Sequence, residues 1–287
     1  GSFTLFVPEL DEHYHSVKGA QTESEYIFIE KGFRASAASS PRVLEIGFGT
    51  GLNAMLTLEA AEKEHRQTDY TGIELYPLLW EEVKPLGYSA NPLFQQIHLA
   101  PWGTTVEPDG RRTEDNHTGG NHSISAGSSS TKVRLTEYFT LEKIKADANA
   151  LFGITADGET NVCRKIIADK ETNVSGEITE SREINANGET GVCREHACAS
   201  AKADRQPGFT TGFDVVYFDA FAPEKQPEMW NVQLLRSIYV NMNKDGVFTT
   251  YCAKGTIRRM LQSIGFKVER LPGPPGGKRE ILRAVKV

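Results

Sequence analysis

The chain has 287 residues, 39% of them hydrophobic and 24% charged, with a formal net charge of −6. Enough apolar material is present to build a core, so disorder of the whole is excluded. No run approaches the roughly 20 apolar residues that span a bilayer, and no signal-like segment opens the sequence, so a cytoplasmic protein is expected. The cysteines, Cys163, Cys193, Cys198 and Cys252, are too scattered for a disulfide scaffold, which fits a reducing compartment.

The net charge hides an asymmetry. From Lys254 onward, Lys254, Arg258, Arg259, Lys267, Arg270, Lys278, Arg279, Arg283 and Lys286 are opposed by Glu269 and Glu280 alone. The local balance is +7, which leaves −13 on the rest. An acidic body with a basic end can still steer a polyanion, because the local field matters more than the sum.

In chain order, residues 1–40 read as a lead-in, in which Glu25–Ile29 has the composition of a short strand. Arg42–Ile46 is the first clear strand and runs into Gly47-Phe48-Gly49-Thr50-Gly51. An amphipathic helix follows, marked by Leu52, Met55, Leu56 and Leu58, and Tyr70–Glu74 reads as a second strand ending on an acid. Strand, helix, strand within about thirty residues is the opening of a doubly wound sheet. Arg134–Leu141 looks like another strand, followed by Asp147. The rhythm returns with a buried strand at Phe213–Phe218, a helix near Met229–Met242, a strand at Gly246–Tyr251 and a helix at Thr256–Ile264 stopped by Gly265. Phe266–Leu271 and Glu280–Val287 flank a Pro/Gly hinge and read as a closing antiparallel pair.

Two stretches interrupt this pattern. Residues 108–131 and 153–212 are polar, and the second carries a degenerate repeat, Glu159–Arg164 echoed by Glu189–Arg194. With so few apolar side chains the repeats do not stack as a solenoid, and both stretches read as insertions in one α/β domain of 1–287. The expected class is a Rossmann-like, mostly parallel sheet with an antiparallel closing strand.

The glycine turn is the sharpest chemical signal. Gly47, Gly49 and Gly51 are two apart throughout, unlike the two-then-three spacing of the dinucleotide fingerprint. Glu45 before the turn and Asn53 after it suit a ligand with a zwitterionic amino-acid end better than a pyrophosphate. That pattern points to S-adenosyl-L-methionine rather than to a plain tight turn. Glu74, at the end of the second strand, stands where such folds place an acid to accept from a ribose diol. Asp147 is a weaker candidate for the adenine amino group. Asp219-Ala220-Phe221-Ala222-Pro223 ends the fourth strand, where side chains converge on the cleft, and resembles the acid-proline-aromatic loop of amino-group methyltransferases.

These stretches, taken together, resemble the methyltransferase domain of the bacterial tRNA 5-methylaminomethyl-2-thiouridine methyltransferases (MnmC), in a stand-alone form without the FAD-dependent oxidoreductase domain of bifunctional relatives. The resemblance is carried by Tyr14-His15-Ser16 with Gly19 and Glu23-Ser24, by Leu44 to Asn53, by Phe218 to Pro223 and Gln226 to Trp230, by Ile257-Arg258-Arg259, and by Gly276 to Glu280. It implies methyl transfer from S-adenosyl-L-methionine to the exocyclic amine of 5-aminomethyl-2-thiouridine at the tRNA wobble position, after a separate enzyme has made the aminomethyl precursor. On that reading Asp219 is the catalytic residue, and Glu45, Gly47, Gly49, Gly51, Asn53, Glu74 and Asp147 hold the cofactor. Arg258, Arg259, Lys278 and Arg279 meet tRNA phosphates. Phe221, Pro223, Trp230 and Tyr251 surround an extruded base, Trp230 reading equally well as a core residue.

Competing readings are an aminopropyltransferase-like enzyme acting on a small amine, against which the basic end speaks, and a non-catalytic nucleotide-fold binding module. The joint presence of Glu45, the three glycines, Glu74 and Asp219 argues against the latter. No metal is expected: Cys193-x-x-His196-x-Cys198 with Cys163 matches no zinc ribbon or finger. His13 and His15 read as structural.

Overall fold

The computed structural model describes residues 6–7, 12–13, 19–104, 131–154, 212–277 and 279–287. Most of the two polar insertions lies outside the described residues, as do Tyr14, His15, Cys163, Cys193, His196, Cys198 and Lys278.

Strands β1 (Phe6–Val7) and β2 (Glu12–His13) form a small antiparallel ladder. Helix α1 (Ala20–Ser24) passes without a break into a π-helical stretch, Glu25–Phe33, closed by the Arg34 N–H donating to Ile29 O at 2.9 Å. The expected strand at Glu25–Ile29 is therefore corrected. Its aromatic and β-branched residues favour strand locally, but Ile27, Phe28 and Ile29 are all buried, which no half-buried strand allows. The stretch lies flat on the sheet. A side chain at Gly32 would come within 3.0 Å of Tyr217 and 3.2 Å of Thr249.

The main sheet begins at β3 (Arg42–Ile46), followed by α2 (Leu52–Glu64), β4 (Thr68–Glu74), the short α3 (Trp80–Val83), α4 (Pro92–Leu99) and β5 (Trp102–Thr104). The strand expected at Arg134–Leu141 is split into β6 (Val133–Arg134) and β7 (Phe139–Lys145). The cause is a turn whose Thr136 hydroxyl and Tyr138 N–H both donate to Glu62 at the end of α2. After α5 (Ala148–Leu151) come β8 (Phe213–Phe218), α6 (Val232–Asn241), β9 (Met242–Thr250), α7 (Gly255–Ile264), β10 (Phe266–Pro272) and β11 (Glu280–Lys286). Gly265, at φ +116°, ends α7 as expected.

The sheet order is β10-β11-β9-β8-β3-β4-β7-β5, with β6 beside β7. Pairings from β9 through β5 are parallel, whereas β11 runs antiparallel to both β9 and β10. The chain leaves β3 toward β4 and β7, then returns to β8 on the other side of β3. That reversal opens a crevice above the carboxyl ends of β3 and β8.

Alternation along β3 assigns the faces. Val43 packs with Phe28, Phe33, Tyr70 and Tyr217 under α2, whereas Leu44 and Ile46 pack with Phe218, Phe248 and Leu234 under α6 and α7. Glu45 shares Val43's face and is fully buried. Among the described residues no helix is long and apolar enough to cross a membrane.

The π-helical stretch is thus part of the core rather than a lead-in. Phe33 is 0% exposed, with the Arg66 guanidinium 4.3 Å from its ring centre. Phe33→Ala is expected to cost about 3–5 kcal/mol in denaturant unfolding, the usual range for a buried aromatic. A loss below about 0.5 kcal/mol, as at a surface position, is the opposing result.

Candidate active site

The glycine turn is built by close approach. Gly47 N–H and Phe48 N–H both donate to Ile73 O, at 3.0 and 3.1 Å, while Asp219 N–H donates to Ile46 O at 2.9 Å. Gly47 adopts φ +87°, and a Cβ there would lie 2.7 Å from the Asp219 carbonyl oxygen. Gly49 and Gly51 also take positive φ, +49° and +68°. Only glycine occupies this geometry without strain. The loops after β3 and β8 therefore touch backbone to backbone.

Glu74 closes the other side. Its Oε2 accepts from Gly49 N–H at 2.9 Å and its Oε1 from Tyr76 N–H at 3.0 Å. Burial pushes its pKa above the usual carboxylate value, against which these backbone donors act. An acid tied to the turn, with lone pairs left over, fits a ribose diol. Asp147, two residues past β7, caps α5 by accepting from Asn149 N–H at 2.7 Å. Asn149 in turn accepts from Asn231 at 2.8 Å, joining the end of β7 to the segment after Asp219.

Glu45 and Asn53 lie beneath the turn. Glu45 is 0% and Asn53 2% exposed. Glu45 Oε1 accepts from Asn53 Nδ2 at 2.8 Å and Oε2 from the Tyr70 hydroxyl at 2.6 Å. Asn53 Nδ2 also donates to Asp219 Oδ2 at 2.9 Å. Glu45 and Asn53, expected to hold the cofactor, are both shielded from solvent in this structure and brace the turn from below. Burial drives the Glu45 pKa well above the usual range, and the donors from Tyr70 and Asn53 oppose that rise. Asn53 Oδ1 is buried without a hydrogen-bond partner, a deficit that costs about 1–3 kcal/mol.

A cleft of about 400 Å³ opens at the loop that follows Asp219, lined by Ala222, Pro223, Tyr251, Cys252, Lys254 and Arg279 among others. Three segments supply it: the loop after β8, the loop after β9 and the residues entering β11. The Tyr251 hydroxyl donates to Ala220 O at 2.8 Å and fixes the first of these to the second. Trp230 is corrected from a stacking platform to a core residue. It is 5% exposed, packs on Phe218 at 4.9 Å between ring centres, and donates from Nε1 to Phe221 O at 2.7 Å. It holds the Phe221 loop without facing the cleft.

The basic end is partly neutralised within the sheet, where Arg283 pairs with Glu269 and Arg270 with Glu280. Lys254 pairs with Glu224 at the rim. Arg258, Arg259 and Arg279 form no ion pair among the described residues, and Arg259 and Arg279 are exposed.

Sequence reasoning missed Tyr70 and His98. The His98 ring, on α4, lies 3.1 Å from Thr50 O by Nε2, so a neutral ring protonated there donates to the turn. Burial and the Lys143 charge hold the His98 pKa down near 4, against an ordinary value of 6.5. Lys143, 1% exposed and also lowered by burial, to about 8, donates to His98 O at 2.8 Å and sits 4.5 Å from the Trp102 ring centre.

Two expectations follow from this bracing. Glu74→Ala, which frees Gly49 N–H and removes the diol acceptor, is expected to weaken S-adenosyl-L-methionine binding by about 1–3 kcal/mol in calorimetry; unchanged affinity contradicts the cofactor geometry. Between about pH 6.5 and 4 the unfolded state binds more protons at His98 than the folded state, so stability falls as pH drops through that window. His98→Gln keeps a donor for Thr50 O, and its melting temperature is expected to fall less steeply over the same range. Parallel curves for the two proteins oppose this.

The chain is similar to known methyltransferases in part of its sequence and in its fold. Residues 164–287 match a family described as S-adenosyl-L-methionine-dependent methyltransferase. The tRNA 5-methylaminomethyl-2-thiouridine biosynthesis bifunctional protein MnmC of Actinobacillus pleuropneumoniae serotype 5b (strain L20) is 40% identical over 74 residues, 26% of this chain and 11% of the relative. The MnmC of Nitrosospira multiformis is 38% identical over 74 residues, 26% of this chain and 12% of the relative. These alignments thus cover a small part of the relatives' length. The crystal structure of MNMC2 from Aquifex aeolicus superposes with a TM-score of 0.56 at 21% identity, covering 99% of this chain and 67% of that one, a likeness of fold. Over its carboxy-terminal part the chain is thus similar to S-adenosyl-L-methionine-dependent methyltransferases, a short stretch is similar to MnmC, and the fold is like that of MNMC2.

Proposed function

We propose that the chain methylates the exocyclic amine of 5-aminomethyl-2-thiouridine at the tRNA wobble position. The observation that carries the reading is the contact of the Asp219 backbone with the glycine turn, at the start of the loop whose Ala222 and Pro223 line a cleft together with Arg279 and Lys254. Bound S-adenosyl-L-methionine supplies an electrophilic methyl group on a sulfonium. The positive-φ glycines at 47, 49 and 51 and the Glu74 carboxylate are the groups that would hold it.

Methyl transfer requires a neutral amine whose lone pair lines up with the S–CH3 bond, so positioning contributes most of the rate. A primary alkylamine titrates near ~10, as lysine does, and an aspartate near ~4. Asp219 is therefore a poor base for the ammonium. Its work is to accept a hydrogen bond from the amine and to stabilise the positive charge that grows on nitrogen. Tyr251, Phe221 and Pro223 offer the apolar surface beside it, and Arg258, Arg259 and Arg279 offer charge to a phosphate backbone. A small-amine acceptor remains the second reading, and the cationic rim disfavours it: a polyamine is itself a cation.

Labelled cofactor with hypomodified tRNA, or with putrescine, separates the two after digestion to nucleosides. Label in 5-methylaminomethyl-2-thiouridine is expected; label in putrescine alone discards the tRNA reading. Asp219→Ala is expected to slow single-turnover transfer about 100-fold or more with cofactor affinity nearly intact. Arg258→Ala with Arg279→Ala should flatten the salt dependence of tRNA binding by roughly one unit of slope per lost phosphate contact. An unchanged slope would remove these arginines from the interface.

A further inference from the structure

Two acids from neighbouring parallel strands meet on one nitrogen. Glu45 is the fourth residue of β3, and Asp219 directly follows β8; the register pairs Ile46 with Phe218 between them. Asn53, in the first turn of α2, donates from Nδ2 to both, at 2.8 and 2.9 Å. A carboxamide nitrogen has two hydrogens in a fixed fork, so both are used. Two acceptors on the nitrogen side also fix which way the amide faces, leaving Oδ1 buried and unpartnered. Turning the amide would pair the oxygen with nothing better and take this donor from both acids, so the two carboxylates select the observed attitude.

We propose that Asn53 is a positioning residue for methyl transfer: its amide, held by Glu45, which Tyr70 braces in turn, keeps the Asp219 carboxylate in one orientation at the base of the loop that lines the cleft. The inference rests on the reading of Asp219 as the group that receives the acceptor amine. Asn53 itself, 2% exposed, touches neither reactant. Neither neighbouring chemistry replaces it. Aspartate would set a third carboxylate between two others, and leucine would leave Glu45 Oε1 and Asp219 Oδ2 without this donor.

The test compares Asn53→Ala, Asp219→Ala and the double variant in the full chain. Asn53→Ala is expected to lower the single-turnover rate about 10- to 100-fold while the cofactor Kd changes by less than about threefold. If Asn53 acts through Asp219, the double variant is no slower than Asp219→Ala alone. Multiplying losses, or a loss confined to cofactor affinity, overturn the proposal. Asn53→Asp, close to isosteric, serves where the alanine variant folds poorly and is expected to be slower still.

A readout independent of the substrate is the crystal structure of the Asn53→Ala protein. There the Asp219 carboxylate is expected in a different rotamer or in two, and an unmoved carboxylate overturns the positioning role. A wild-type chain that binds cofactor but labels no tRNA would discard the function proposed above. The Asp219 rotamer would still decide the role of Asn53.

Discussion

The backbone of Gly47 and the carbonyl of Asp219 lie so close that no side chain fits between them. Much else in the molecule follows from that contact. It requires β3 and β8 to be neighbours and parallel, with their carboxyl ends level, and it brings the glycine turn and the loop after β8 into one crevice. It leaves room beneath for a polar cluster of Glu45, Tyr70, Asn53 and Asp219 in an otherwise apolar layer. Burying such a cluster carries a desolvation cost that hydrogen bonds offset only in part. The cluster therefore reads as a functional investment rather than a stabilising one.

The glycine turn is braced on its outer side by neutral or reluctantly charged groups. His98 reaches Thr50, Lys143 reaches His98, and the rings of Phe48 and Trp102 pack edge to face at 5.4 Å. Phe48 itself needs the missing side chain of Gly72, where a Cβ would come within 2.4 Å of its ring. Rigidity is supplied from both faces of the turn. Preorganisation of this kind limits what a ligand must reorder on binding.

Much of the architecture was legible in the residues. β3 and β8 are short apolar runs bounded by turn signals, and Gly265 sits where a helix must stop, so local chemistry and tertiary structure agree. Glu25–Ile29 has a strand-like composition, and burial of Ile27, Phe28 and Ile29 together hides the helical period of the stretch to which it belongs. The break between β6 and β7 depends on Glu62, 74 residues from Thr136 along the chain, and no window on the sequence contains both. The same distance problem governs the site. Glu45, Gly47 and Glu74 announce themselves by position beside a turn, whereas Tyr70 and His98 look like ordinary members of a strand and a helix until the fold brings them in. Trp230 shows the converse: an aromatic beside a motif is as readily a strut for the loop as a platform for a ligand.

The site is assembled from two separable halves. On the proposed reading the donor wall hangs on β3 and β4, early in the chain, and the acceptor wall on the loops after β8 and β9 and at the start of β11. The family match, residues 164–287, falls on the second half. Because both walls are anchored to adjacent strands of one stiff sheet, the acceptor wall can diverge by exchange of three loops while the methyl-donor wall stays as it is. Such a division makes this scaffold a natural starting point for grafting new nucleophile preferences onto an unchanged alkylating centre, with the β3–β8 seam as the boundary that a graft must leave intact.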